Sequence, residues 1–114
     1  MPINEEQALQ SLDGSKDLLR DLAAIFAEDS PQLVDDFREA VAERDANRAK
    51  LSAHSLKGLT STFYATSEVD QIAAIEQAAT EEDWNSLESA PETLDEIIRS
   101  LIDSMRSASW LNAK

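Results

Sequence analysis

The 114-residue chain has no cysteine, two glycines, three prolines, one tyrosine and one histidine. Without cysteine there is no disulfide framework, no thiol nucleophile and no sulfur metal site. With only Gly14 and Gly58, no glycine-rich loop can cradle a nucleotide. A lone histidine, His54, excludes a multi-histidine zinc or iron centre. No apolar run approaches the ~18 residues of a membrane span. The opening Met1-Pro2-Ile3-Asn4-Glu5-Glu6 lacks the basic and apolar regions of a secretory signal. Basic residues are few as well: 10 Lys+Arg against 23 Asp+Glu give a formal charge of −13. That field repels phosphate backbones and anionic lipid, so neither nucleic acid nor a membrane surface is an expected partner. What remains is 42% hydrophobic residues, enough for the modest core of one domain. The expectation is a single cytoplasmic domain over 1–114 with little catalytic hardware. The start at Met1 fits a free-standing protein.

Apolar residues recur at three- and four-residue spacings and β-branched runs are missing, which predicts an all-α fold. A short first helix is expected from Asn4 to about Ser11, capped by Asn4 with Gln7 three residues on, and ended by the turn pair Asp13-Gly14. Leu18, Leu19, Leu22, Ile25 and Phe26 mark the apolar face of the next segment. Ser30-Pro31 reads as an N-cap with proline at the first helical position. Leu33, Val34, Phe37 and Val41 follow, so the two pieces can stack as one kinked helix. A further helix is expected over about Ala46 to Phe63, apolar at Ala49, Leu56, Leu59 and Phe63. Ser67, with Asp70 three residues on, should start the next one, which carries Val69, Ile72, Ile75 and Ala79. The last is expected from near Pro91, striped by Leu94, Ile97, Ile98, Leu101, Ile102 and Met105. Thr80 to Ser89, with Trp84 and Leu87, reads as a connector with room for a helical turn. An antiparallel four-helix bundle with a short additional N-terminal helix buries every stripe.

Ala46 to Ser67 contains no Asp or Glu, although a window of that length in so acidic a chain should hold about four. The same window carries Arg48, Lys50, His54 and Lys57. Chance, or burial of the whole helix, would also produce such a window. At 100° per residue, Ala49, Leu56, Leu59 and Phe63 share one side of this helix. His54 falls opposite, with Lys50, Lys57, Gly58 and Ser61 as neighbours at i−4, i+3, i+4 and i+7. A core histidine would sit on the apolar face. Lys57 can balance a phosphoryl group's charge, and Ser61 can donate a hydrogen bond. Gly58 costs a helix interior about 1 kcal/mol relative to alanine, a cost explained if bulk must be kept away from His54.

Glu76 falls beside Ile72 and Ile75 on the inward face of the next helix, where a solitary carboxylate is costly. If the two helices are antiparallel neighbours, it can accept a hydrogen bond from the imidazole Nδ1 and leave Nε2 free as a nucleophile. The contact needs the imidazole at the bundle's flank. Otherwise Glu76 snorkels or pairs with another basic residue.

Ala53-His54-Ser55-Leu56-Lys57-Gly58 resembles the A-H-x-L-K-G phosphoacceptor motif of histidine-containing phosphotransfer (HPt) domains. Leu18 to Phe26 followed by Pro31 resembles the family's opening helices, and Ile75-Glu76 its Leu-Glu pair, so the resemblance covers nearly the whole chain. It implies that His54 accepts the phosphoryl group, Lys57 stabilises its charge, Gly58 gives clearance and Glu76 orients the imidazole. It also implies receiver domains of response regulators and a hybrid sensor kinase as partners. No cofactor is implied on this chain, and Mg²⁺ is expected on the receiver. Two positions depart from the family pattern. Tyr64-Ala65 stands where glycine-alanine is common, and Glu68 where leucine is frequent.

Docking needs an apolar patch near the histidine. Leu51 and Tyr64 are candidates, with Arg48, Lys50 and Ser61 as polar contacts, while Leu9 and Leu12 can cover the bundle's end. These apolar residues can equally be core. A non-phosphorylated helical adaptor using the His54 face is the alternative function. A carboxylate-bridged metal bundle would want Glu-x-x-His, but position 51 is leucine, so no metal site is expected. A self-contained bundle is expected to be monomeric, although the Leu94-to-Met105 stripe could be shared with a second copy.

Overall fold

In the computed structural model, which describes residues 3–107, five helices follow one another: α1 (Glu5–Ser11), α2 (Lys16–Ala42), α3 (Ala46–Ser61), α4 (Thr66–Thr80) and α5 (Trp84–Ser107). Consecutive long helices reverse direction through three- or four-residue turns. α3 packs between α2 and α4, and α5 closes the ring against α2 and α4. This is the expected all-α bundle. α2, at 27 residues, is about 40 Å long and nearly spans the longest dimension of 45 Å. The core takes Phe26, Phe37, Leu56, Phe63, Ile72, Leu94 and Leu101, all buried. Each such side chain removed from water contributes on the order of 1.5–3 kcal/mol.

The N-terminal cap is as the sequence implies: Asn4 Oδ1 accepts the Gln7 backbone N–H at 3.1 Å, and Asn4 Nδ2 reaches Gln7 Oε1 at 3.0 Å. The Asn4 backbone N–H donates to the Phe63 carbonyl at 2.9 Å. α1 is thereby fixed over the α3–α4 turn, and Leu9 and Leu12 pack half-buried on the core.

Four boundaries differ from the sequence reading. Ser30-Pro31 starts nothing, because α2 runs unbroken through both. Ser30 is buried, and its hydroxyl donates to the Phe26 carbonyl at 2.5 Å instead of capping. Pro31 brings no N–H, but the buried face of α2 continues past it through Val34 and Phe37. The helix is capped by Ser15, whose hydroxyl accepts from Leu18 N–H at 3.2 Å. α3 stops at Ser61 rather than Phe63. α4 starts at Thr66 behind Ala65, which has no side-chain cap, so Ser67 is not the cap. α5 starts at Trp84, and most of the supposed connector is helix. Asp83 accepts from both the backbone N–H (3.3 Å) and the hydroxyl (2.7 Å) of Ser86. Pro91 lies buried within α5.

The apolar face of α2 is also narrower than its sequence stripe, because Leu18 and Ile25 are exposed while Leu19, Ala23 and Phe26 are buried. Turns are closed by left-handed residues that are mostly not glycine: Asp13, Arg44, Tyr64 and Glu82, with φ between 53° and 57°, beside Gly14 at 79°. Three helix ends carry the long closing bond of a Schellman turn. These are Gly14 N–H to the Leu9 carbonyl (2.8 Å), Asp45 to Ala40 (2.8 Å) and Asp83 to Ala78 (2.9 Å).

Candidate functional site

α3 and α4 run side by side, and His54 stands between them on the outer face. Its side chain is 65% exposed, whereas that of Glu76 opposite is only 15% exposed. The imidazole Nδ1 lies 3.2 Å from Glu76 Oε2. An ionised carboxylate only accepts, so this bond places the neutral ring's proton on Nδ1 and leaves the Nε2 lone pair unused. The other carboxylate oxygen, Oε1, lies 2.7 Å from Lys57 Nζ. One half-buried carboxylate therefore holds both the imidazole and the neighbouring ammonium. The sequence left orientation of His54 and pairing with a base as alternatives for Glu76. Both occur together.

Partial burial pushes the Glu76 carboxyl up, but hydrogen bonding and charge from Lys57, then from His54, outweigh it and hold the group below its ordinary 4.5. A carboxylate with a lowered folded value contributes stability that is full above the unfolded value and is lost as pH falls through the folded one. Glu76→Gln is therefore expected to be less stable than the parent at neutral pH. The gap should narrow below about pH 4.5. Urea midpoints measured from pH 7 to pH 3 check this, and a gap that stays constant would refute it.

Gly58 lies one turn from His54, and a Cβ built there would meet nothing within 4 Å. The fold itself does not require glycine at this position. Leu51 is 57% exposed and Lys50 is exposed as well. The Ser61 hydroxyl donates to the Gly58 carbonyl at 2.8 Å, so its proton is already committed within α3. Tyr64 lies past the helix end, 38% exposed. Arg48 is not brought to the site. Its guanidinium lies 3.0 Å from Glu43 and 3.6 Å from Glu39, on the α2 flank of α3. The acid-free window is thus locally positive in sequence, but Glu39 of α2 and Glu43 in the turn after it supply two of the missing carboxylates in space. The cations on the His54 side of α3 are Lys50 and Lys57, the second of them paired with Glu76.

The groove between α3 and α4 carries two depressions of about 200 Å³ each, one on either side of the His54–Glu76 pair. One is lined by Ser61, Tyr64, Thr66 and Val69. The other has Asn47, Lys50, Thr80 and Glu82 among its walls. Val69 was missed as a groove residue because an apolar stripe does not reveal which of its members sit at a groove's edge, and Thr80 because it was read as connector, whereas it ends α4. Among the described residues, no group of three or more His, Cys, Asp or Glu could hold a metal. No described helix is long and apolar enough to cross a membrane.

Comparison with protein-family models matches the Hpt domain over residues 21–108. The chain belongs to the Hpt domain family. Neither the curated proteins nor the solved structures give a match. As an Hpt domain it falls within histidine phosphotransfer in phosphorelays of two-component signalling, whose members work with receiver domains and kinases. The matched span contains His54, Lys57, Gly58 and Glu76.

Proposed function

We propose that His54 is the phosphoacceptor of this Hpt domain, taking a phosphoryl group from the aspartyl-phosphate of one receiver and passing it to the aspartate of another. The observation that carries the reading is the exposed imidazole held through Nδ1 by a carboxylate. In the forward step the Nε2 lone pair attacks phosphorus, an N–P bond forms, and the O–P bond to the receiver's carboxylate breaks. That carboxylate leaves with the bonding pair, and Glu76 stabilises the cationic ring while its proton stays on Nδ1. The step depends on positioning and charge stabilisation. Lys57 supplies the cation, one turn from the reacting nitrogen, and Gly58 leaves room for the incoming surface. Mg²⁺ belongs to the receiver's site, and this chain binds no cofactor of its own. Phosphorylation adds about 1.5 to 2 negative charges beside Lys57. The domain works as a cytoplasmic monomer between a hybrid sensor kinase and response-regulator receivers.

The test is incubation with a panel of phosphorylated receiver domains from the same organism. Rapid, preferential transfer from one or a few is expected. The label should be acid-labile and alkali-stable, and peptide mapping should place it on His54. Binding of a partner with no transfer of phosphate would instead favour a helical adaptor that uses the same face.

A further inference from the structure

Among the described residues, Tyr64 is the one aromatic in the left-handed conformation, with φ at 55°. Asp13, Arg44 and Glu82 take the same conformation with polar side chains. A bulky residue is disfavoured there, and Tyr64 nevertheless keeps an apolar ring partly in water. Its position on the groove gives this arrangement a meaning. Ser61 lies seven residues from His54 along α3, and Val69 lies seven residues before Glu76 along α4. Seven residues are two turns, so each pair shares a helix face about 10 Å apart. The depression bounded by Ser61, Tyr64, Thr66 and Val69 therefore lies between the same two helices as the His54–Glu76 contact, and on the same face. None of its four walls is an Asp, Glu, Lys, Arg or His. The depression at the other end of the groove has Lys50 and Glu82 among its walls. The groove thus has an apolar end and a charged end, with the histidine between them.

We propose that Tyr64 and its depression seat an apolar side chain of the receiver, about 10 Å from the receiver's phosphorylated aspartate, and so select which receivers transfer to His54. The inference rests on the phosphorelay reading and specifies its partner: a receiver with an aliphatic or aromatic side chain on one side of its acidic pocket. Continuity with the His54 face argues for this occupant, because a surface that covers His54 and extends two turns toward the end of α3 must cover Tyr64. The charged end fixes the receiver's orientation, because a reversed receiver would set its apolar side chain against Lys50 and Glu82.

The test uses the receivers that transfer to the parent chain, with phosphoramidate as a small donor that reads the imidazole without docking. Tyr64→Gly is compatible with the local backbone, since glycine takes a positive φ freely. It is expected to lower the ratio of receiver transfer to phosphoramidate labelling about tenfold, through KM rather than kcat. Val69→Asp should lower it similarly, and Tyr64→Phe should retain it. A ratio within twofold of the parent for both Tyr64→Gly and Val69→Asp would overturn the inference and leave the phosphorelay reading standing. Failure of every receiver to transfer to the parent would overturn that reading, and this inference with it. A parental dimer that Tyr64→Gly dissolves would assign the depression to a second copy of the chain and also overturn the proposal.

Discussion

Lys57→Ala is expected to slow phosphoryl transfer to His54 about 100-fold, or about 2.7 kcal/mol in the barrier. Two effects act in the same direction. The first is loss of a cation one helical turn from His54, on the side where the phosphoryl oxygens carry negative charge in the transition state. The second is loss of the 2.7 Å contact that fixes one oxygen of Glu76, which leaves the carboxylate freer to rotate away from Nδ1. Receiver affinity should change little, because the Lys57 ammonium is engaged with Glu76 rather than presented outward. Single-turnover transfer at saturating receiver isolates the chemical step. If Lys57→Ala transferred at the parental rate, the lysine would have no part in charge stabilisation.

Phe26→Ala should cost about 3–5 kcal/mol of stability, against a total of about 5–15 kcal/mol for a domain of this kind. Phe26 is fully buried near the middle of α2, and its ring meets Phe63 edge-on with centroids 5.7 Å apart. Phe63 in turn carries the carbonyl that receives the Asn4 N–H. Cutting the ring back therefore opens a cavity, removes an aromatic pair and loosens the residue that fixes α1. The midpoint of urea unfolding, followed by circular dichroism, checks the figure. A loss below about 1 kcal/mol would mean that the core collapses readily around the gap.

The helical class, the bundle and the central residues of the site were legible in the sequence because they rest on periodicity and on one dense motif. Leu94 to Met105 repeats at helical spacing, and it is buried as that spacing implies. The boundaries were less legible, and proline is the main reason. Pro31 and Pro91 each look like a first helical residue, yet both lie inside helices. A local signal of that kind yields to tertiary packing when buried side chains continue on both sides. The true start of α5 was marked instead by the capping pair Asp83 and Ser86, and by Trp84 and Leu87, which extend the Leu94 stripe back at helical spacing. Turns were obscured for a related reason: the left-handed positions at Arg44, Tyr64 and Glu82 carry no glycine to mark them.

Charge was misread in a different way. Counting acids along Ala46 to Ser67 correctly singled out α3, but the count follows the chain. Arg48 finds its carboxylates on α2 and in the turn that follows it. The contact between His54 and Glu76 was foreseen because it required only that α3 and α4 be antiparallel neighbours. A basic partner for Glu76 was foreseen only as the alternative to His54, and Lys57 was not named, since a helical wheel shows where Lys57 points but not which carboxylate it reaches.

The turns offer a route to a hardier scaffold. Asp13 and Arg44 hold dihedral angles that glycine adopts without steric penalty, and neither borders the His54 groove. Engineering for heat tolerance can begin at Asp13. Arg44 is the poorer choice, because its guanidinium lies over the Trp84 ring at 5.2 Å, and glycine there would exchange a stacking contact for backbone ease.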